Sequence, residues 1–181
     1  MFIKKKIDSC VRTQEKSNYN GHKKNNKFDQ KDCRFRSDWN KMNTISDEIL
    51  EKKYNKLHKK FLKGEFSEVI KECNKVLRKR KHQLFFNLLC VAYQKTGKIE
   101  KSIDVMNEAL ALNPNHPNFL NNLGTCFYML HKFSKAEEYF KKGLQIDNKH
   151  LHILNNLGNL KRETYKIDES IKYYKEVLSI Q

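Results

Sequence analysis

The sequence predicts an all-α protein built as a solenoid of antiparallel helix pairs, and two observations carry this prediction. The segment Leu120–Gly124 recurs as Leu154–Gly158 after 34 residues, and His82, His116 and His150 mark the same period. Between these marks the apolar residues follow helical spacing rather than the alternation typical of strands. A period of this length is typical of repeat proteins, whose units bury their apolar faces only by stacking on one another.

The period divides the chain into the units 83–116, 117–150 and 151–181, of which the last is incomplete. Within 117–150 the apolar residues fall on one face of each of two helices of about a dozen residues. The first-helix positions are Leu120, Leu123, Phe127 and Leu130, and the second-helix positions are Ala136, Phe140 and Leu144. Each unit is therefore predicted to be a helix pair joined by a tight turn.

Local signals predict where these helices begin and end. Ser134, with Glu137 three residues later, forms a capping-box pattern that places the start of a second helix at Ser134. Gly97 suits a left-handed turn within 83–116, and Pro114 ends the helix that follows this turn. Asp168 is the predicted cap of the last helix.

The equivalence of the units also predicts which small side chains are buried. Cys90, Gly124 and Gly158 share one position, where the two helices of a unit are expected to approach most closely. Cys90 and Cys126 are therefore interpreted as small buried hydrophobes rather than as nucleophiles.

Residues 46–82 are interpreted as a divergent first repeat. Phe61 precedes Tyr93 by 32 residues whereas Gly64 precedes Gly97 by 33, so we expect a turn shortened by one residue. Terminal repeats are commonly atypical because one of their faces meets solvent.

The segment 1–43 shows no periodicity and is predicted to be a disordered basic extension, because its few apolar residues cannot offset chain entropy. Thr44 or Ser46 is the expected cap of the first helix. Met42 is either an internal residue or the true start, and both alternatives stay open.

The pattern resembles the tetratricopeptide repeat, a 34-residue helix pair with Leu-Gly in its first helix and small and aromatic residues in its second. Leu123, Gly124, Phe127 and Ala136 match it, and Lys161 departs from it where an aromatic residue is expected. The resemblance implies a right-handed superhelix that serves as a protein-interaction scaffold, with the first helices lining its concave surface.

The stripe opposite the apolar face of each first helix is the predicted peptide-binding groove. We predict that the groove consists of Leu88, Asn118, Asn122, Thr125, Met129, His152, Asn156 and Asn159. We predict that its rim consists of Asn87, Asn121, Tyr128, Asn155 and Arg162. An amide carries both a donor and an acceptor, so a row of Asn suits the backbone of an extended peptide.

This row is similar to the asparagine ladder of peptide-binding superhelices in the O-linked glycosyltransferase family. Asn122 and Asn156 occupy the matching place, and Leu88 interrupts the row one repeat earlier. The alternative, that these Asn residues are solvated filler in an Asn-rich chain, stays open. The lysine-and-asparagine carboxylate clamp of chaperone-binding tetratricopeptide domains is not reproduced, so a chaperone tail is not the predicted ligand.

Composition argues against most other classes of protein. The mean hydropathy is −0.85, and the sequence has no apolar run that approaches a membrane span and no signal peptide. Five Cys without a Cys-x-x-Cys pair favour a reducing, cytoplasmic location. The six Gly form no phosphate-binding loop, and the recurring His follow the repeat rather than a metal-site spacing, so no cofactor and no metal are predicted.

The chain carries 37 Lys and Arg against 21 Asp and Glu, a net charge of +16 that is concentrated in its first half. Such a basic surface could bind RNA or an acidic partner. We favour a compositional cause, because Lys and Asn together supply 50 of the 181 residues. Nucleic acid is therefore ranked as an improbable partner and RNA binding as the third hypothesis.

The leading hypothesis is a non-enzymatic scaffold that binds a peptide segment of another protein in its groove. The second is the targeting region of a larger enzyme, such as a glycosyl- or sulfotransferase, of which this chain is a fragment. No following repeat covers the apolar side of the last unit, so Leu154, Leu157, Tyr174 and Leu178 are expected to stay partly exposed. That exposure predicts a truncated longer protein, self-association or a partner.

Overall fold

Eight helices joined by short turns account for nearly all of residues 47–180, the part of the chain that this computed structural model describes. No strand occurs among these residues. The helices are α1 (47–62), α2 (Phe66–Lys79), α3 (Gln83–Lys95), α4 (Ile99–Leu112), α5 (Pro117–Met129), α6 (Phe133–Ile146), α7 (Leu151–Glu163) and α8 (Ile167–Ile180). The predicted disordered segment 1–43 and the predicted caps Thr44 and Ser46 lie outside the described residues.

From α2 onward each helix packs against the next one, and the first helices α3, α5 and α7 also contact one another in sequence. Their apolar faces form the core, in which Leu123 and Phe140 are almost completely buried. Leu154 and Leu157 are also fully buried, so the prediction that they stay partly exposed is wrong: α7 packs between α6 and α8. The prediction of an all-α, right-handed solenoid of antiparallel helix pairs is confirmed.

The turns inside the helix pairs repeat one backbone geometry. The amide of Lys98 donates to the carbonyl of Tyr93, and that of Lys132 donates to Phe127 in the next pair. Gly97 adopts φ +73°, as predicted, since a left-handed residue is needed there. The equivalent residues His131 and Tyr165 adopt φ 55° and 58° although they carry a Cβ, so the turn geometry outweighs their local preference.

Two predicted helix caps are wrong. α6 begins at Phe133, so Ser134 is its second residue and caps nothing; the carbonyl of Lys132 already accepts the first helical bond, from Ala136. The tight turn fixes this start, and it makes the local capping signal irrelevant. α8 likewise begins at Ile167, which places Asp168 inside the first turn, where its charge favours the positive end of the helix dipole.

The predicted alignment of the first helix is wrong by one residue. The amide of Glu65 donates to the carbonyl of Lys60, the same bond that Lys98 makes to Tyr93. Lys60, and not Phe61, is therefore the equivalent of Tyr93, and the offset is 33 residues throughout this pair. The missing residue belongs to the connection 80–82 between pairs, since the equivalent connection 113–116 is one residue longer.

The predicted close approach within the pairs is confirmed. A Cβ built on Gly124 would lie 2.6 Å from the Phe140 ring, and one on Gly158 would lie 2.5 Å from the Tyr174 ring. Cys90, which has the same position one repeat earlier, is completely buried. Only small residues leave room for the facing helix at this point.

Candidate functional site: an amide-lined cavity

The first helices α3, α5 and α7 face a shared open cavity of about 350 Å³. It is lined by Asn87, Val91, Asn118, Asn121, Asn122, His152, Asn155 and Asn156, and we call it the amide cavity. The structure thus brings together four of the predicted groove residues and three of the predicted rim residues. The lining contains no Asp, Glu, Lys or Arg.

Hydrogen bonds between Asn side chains cross each junction between first helices. Asn122 Nδ2 donates to Asn87 Oδ1 at 2.9 Å, and Asn156 Nδ2 donates to Asn121 Oδ1 at 2.8 Å. Both bonds join residues 35 positions apart, so they repeat with the helix pairs. Each bond fixes which end of each amide is the oxygen.

The other predicted site residues do not line the cavity. Leu88 is only 5% exposed and belongs to the core. Thr125 donates to the carbonyl of Asn121, and Asn159 accepts from the hydroxyl of Tyr174.

Three further predicted residues also lie away from the cavity. Met129 and Arg162 are exposed. Tyr128 packs on Phe133 in the turn of its own pair. The arrangement therefore narrows the candidate site to the first half of α5 and α7 and the middle of α3.

Gln94 is a contributor that the sequence analysis missed. Its amide donates to the carbonyl of Asn122 at 3.4 Å and to the thiol of Cys126 at 3.2 Å, and so ties α3 to α5 beneath the amide row. The sequence offered one indication: Gln94 and its equivalent in the next unit, Tyr128, both have a side chain that can form hydrogen bonds.

A histidine fixes one edge of the cavity. His150 Nδ1 accepts from the amide of Ile153, so its proton lies on Nε2, which donates to Asn118 Oδ1 at 2.8 Å. Burial lowers the pKa of His150, which keeps the ring neutral in this role.

The cysteines beneath the cavity are buried thiols. Ser102 Oγ lies 2.9 Å from Cys90 Sγ and 3.2 Å from Cys126 Sγ, and both cysteines are fully buried. Hydrogen bonding to Cys126 and burial raise the pKa of Cys90, and burial raises the pKa of Cys73 to about 12. High thiol pKa values argue against a nucleophilic role for Cys90 and Cys73.

Among residues 47–180, no group of three or more His, Cys, Asp or Glu side chains is placed to hold a metal ion. Within the same range, no helix is both long enough and apolar enough to cross a bilayer.

Stacked helix pairs with this turn and this close approach define the class of protein, an α-solenoid of helix hairpins. The chain belongs to the tetratricopeptide repeat family: family models described as tetratricopeptide repeat match residues 83–149 and 150–181. No curated protein sequence matches the chain.

Several solved structures share the fold at low sequence identity. The thermophilic repeat protein TTC0263 of Thermus thermophilus is 18% identical with a TM-score of 0.63, over 68% of this chain and 69% of that one. MamA of Desulfovibrio magneticus RS-1 is 16% identical with a TM-score of 0.60, over 70% of this chain and 72% of that one.

The first repeat domain of Spaghetti (RPAP3), bound to the HSP90 peptide SRMEEVD, is 22% identical with a TM-score of 0.51. It aligns over 54% of this chain and 78% of that one.

Proposed function

We propose that the chain is a protein-interaction scaffold that holds an extended, uncharged segment of another polypeptide in the amide cavity. The observation that supports this most directly is the lining itself, six Asn with one Val and one His and no charged side chain. Amides can bond a peptide main chain through both of its polar groups without requiring one sequence.

The bonds between the Asn side chains also support main-chain recognition. Asn122 and Asn156 use an N–H in these bonds, and their Oδ1 atoms have no partner among residues 47–180. Asn87 and Asn121 use their Oδ1 atoms as acceptors, so their amide N–H groups point away from these bonds; Asn87 is half-buried, and Asn121 is only 9% exposed. Acceptors and donors therefore alternate along the row, and their fixed orientation reduces the entropy cost of binding.

The neutral lining also favours a ligand unlike the peptide in the related RPAP3 structure. That peptide, SRMEEVD, is acidic. A site that binds carboxylates gains most from Lys or Arg side chains, which can form charge-assisted hydrogen bonds. The amide cavity has none, so we expect a segment rich in uncharged polar and small residues.

The test is selection of random peptides of about 12 residues, which span about 40 Å when extended, on the immobilised chain. Affinities of the selected peptides for soluble variants are then measured by fluorescence anisotropy. The double substitution Asn122→Ala and Asn156→Ala is expected to weaken binding by about tenfold or more, because two hydrogen-bonding groups are lost.

Matched controls separate binding from folding. Asn107→Ala with Asn148→Ala removes two exposed Asn outside the cavity and is expected to leave affinity unchanged. Val91→Lys puts a charge into the cavity and leaves every Asn bond intact, so it is expected to lower the affinity for uncharged peptides. Equal affinities for all four proteins would refute the amide cavity as the binding site.

A further inference from the structure

The last helix leaves an apolar stripe uncovered, and we call it the α8 stripe. It consists of the exposed residues Ile167, Ile171 and Leu178 and of Tyr174, which is half-buried because its ring packs on Gly158. Ile167, Ile171 and Leu178 are 51%, 45% and 71% exposed. Inside the stack the equivalent side of a second helix is covered by the next first helix: Glu137 of α6, which is equivalent to Ile171, accepts a hydrogen bond from Lys161 of α7.

The α8 stripe has the spacing of a helix-pairing seam. Its residues follow one another at intervals of 4, 3 and 4, which keeps them on one side of a helix over three turns. Asp168 and Lys175, both exposed, flank one edge of this stripe. The other edge is formed by Ser170 and Val177, which are buried in the last pair.

The opposite end of the described stack has a different character. Along one side of α1 and into its turn lies a row of exposed lysines, Lys52, Lys56, Lys59 and Lys63. With the offset fixed by the turns, these positions correspond to Phe119, Leu123, Cys126 and Leu130. In α5 those side chains pack toward the preceding pair; Cys126, for example, contacts Ser102 of α4 at 3.2 Å.

A head-to-tail stack of two copies would therefore press the α8 stripe onto the lysine row. Among the described residues, Lys52 is paired with Glu48 at 2.7 Å, whereas the other three lysines of the row have no carboxylate partner. Burying such ammonium groups against apolar side chains is unfavourable. An open filament built by repeating this contact is thus disfavoured, and a symmetric contact between two α8 helices escapes the penalty.

We propose that two copies of this chain associate through their α8 stripes, with the helices antiparallel, as a closed two-fold dimer. In this orientation Asp168 of each copy faces Lys175 of the other, so both charges at the edge of the seam are matched. A parallel pairing would put the charged edges of the two copies on opposite sides of the seam, where Asp168 and Lys175 would face the edge with Ser170 and Val177 and find no opposite charge. The charge pattern therefore selects the antiparallel arrangement.

The first test is the mass of the full chain by light scattering and sedimentation up to about 100 µM, a range suited to small interfaces. A monomer–dimer equilibrium that stops at the dimer is expected. Leu178→Asp and Ile171→Asp should each abolish the dimer over this range, because each would bury an unpaired charge. The control variants Leu112→Asp and Ile146→Asp alter exposed apolar residues of α4 and α6 and should dimerise normally.

A charge exchange then tests the orientation. Asp168→Lys and Lys175→Asp should each weaken the dimer by about tenfold, and the double exchange should restore it. Mixing the two single variants should give a heterodimer, since every facing pair is then opposite in sign. A monomer at all concentrations, growth beyond the dimer, or a dimer insensitive to Leu178→Asp would overturn the proposal.

Discussion

The helix pairs α5–α6 and α7–α8 differ at one equivalent position, which holds an aromatic residue in the first pair and a lysine in the second. In the first of these pairs Phe127 takes the position, and Lys135 Nζ lies 5.6 Å from the centre of its ring. In the second pair the position holds Lys161, which is 3% exposed and is bonded to Glu169 at 2.7 Å and to Glu137 at 3.0 Å. Glu169 is equivalent to Lys135 one repeat earlier. Where Lys161 replaces the aromatic ring of Phe127, the neighbouring charged residue therefore changes from a lysine to a glutamate.

This position therefore requires a long side chain whose tip has a partner, and an aromatic ring is not needed as such. The aliphatic stem of Lys161 fills the space and its ammonium reaches carboxylates. Burial by itself lowers the pKa of Lys161, but its bonds to Glu169 and Glu137 outweigh this and raise it. Lys60, at the equivalent position of the first pair, also forms an ion pair, with Glu68 at 2.6 Å. The position is therefore occupied by a paired lysine at both ends of the described stack.

The largest loss of stability is expected from a substitution in the core of the interior pair α5–α6. Leu123→Ala removes a side chain that is 1% exposed and should lower the free energy of unfolding by about 2–5 kcal/mol. Leu157→Ala, at the equivalent and fully buried position of the last pair, should cost less, because a terminal pair unfolds with only one neighbour. Chemical denaturation of both variants measures the difference, and an equal cost would contradict the end effect.

A smaller loss of stability is expected when the ion pairs of Lys161 are removed. Lys161→Ala should cost about 1–3 kcal/mol, less than for a fully buried pair, because Glu169 is half-exposed and Glu137 keeps Lys141 at 2.7 Å.

The aromatic arrangement of the preceding pair can be built into the last pair by two substitutions. Lys161→Phe combined with Glu169→Lys reproduces Phe127 with Lys135 and should be more stable than Lys161→Ala in thermal melts. If the double variant were as unstable as Lys161→Ala, the aromatic arrangement could not replace the ion pairs at this position.

The repeat period was sufficient to predict the helix pairs, because burial at a fixed interval leaves a strong sequence signal at positions such as Gly124 and Leu157. It failed where local and tertiary effects compete. Ser134 has an ideal capping pattern, yet the turn before it had already started the helix. Phe61 resembled Tyr93 in chemistry, yet the backbone of the turn gave that place to Lys60.

The candidate site was partly predictable for the same reason. The stripe that contains Asn122 and Asn156 follows from helical geometry, and both residues line the amide cavity. The bonds from Asn122 to Asn87 and from Asn156 to Asn121 depend on how neighbouring first helices approach. A single sequence gives no measure of that distance, so these contacts required the structure.

The smallest expected effect concerns the histidines that precede α5 and α7. His150 Nδ1 accepts from the amide of Ile153 and so caps α7, whereas the buried Nδ1 of His116 has no partner among the described residues. His150→Ala should therefore cost about 0.5–1 kcal/mol at neutral pH. His116→Ala should cost less, since it loses the contact of the ring with Phe119 and an exposed hydrogen bond between Nε2 and Gln83 Oε1 but no helix cap.

Acid should reduce the cost of His150→Ala. Burial lowers the folded pKa of His116 and His150 below the ordinary value of 6.5, so the folded state binds fewer protons than the unfolded chain just below that pH. Stability that is complete above about pH 6.5 should decline as the pH falls toward the folded pKa values and then level off. Protonation of His150 also removes its capping acceptor and puts a positive charge at the start of α7, where the helix dipole opposes it. Denaturation at about pH 7.5 and 5.5 should therefore show a smaller pH dependence in His150→Ala than in the parent chain, and a larger one would assign the acid sensitivity to other groups.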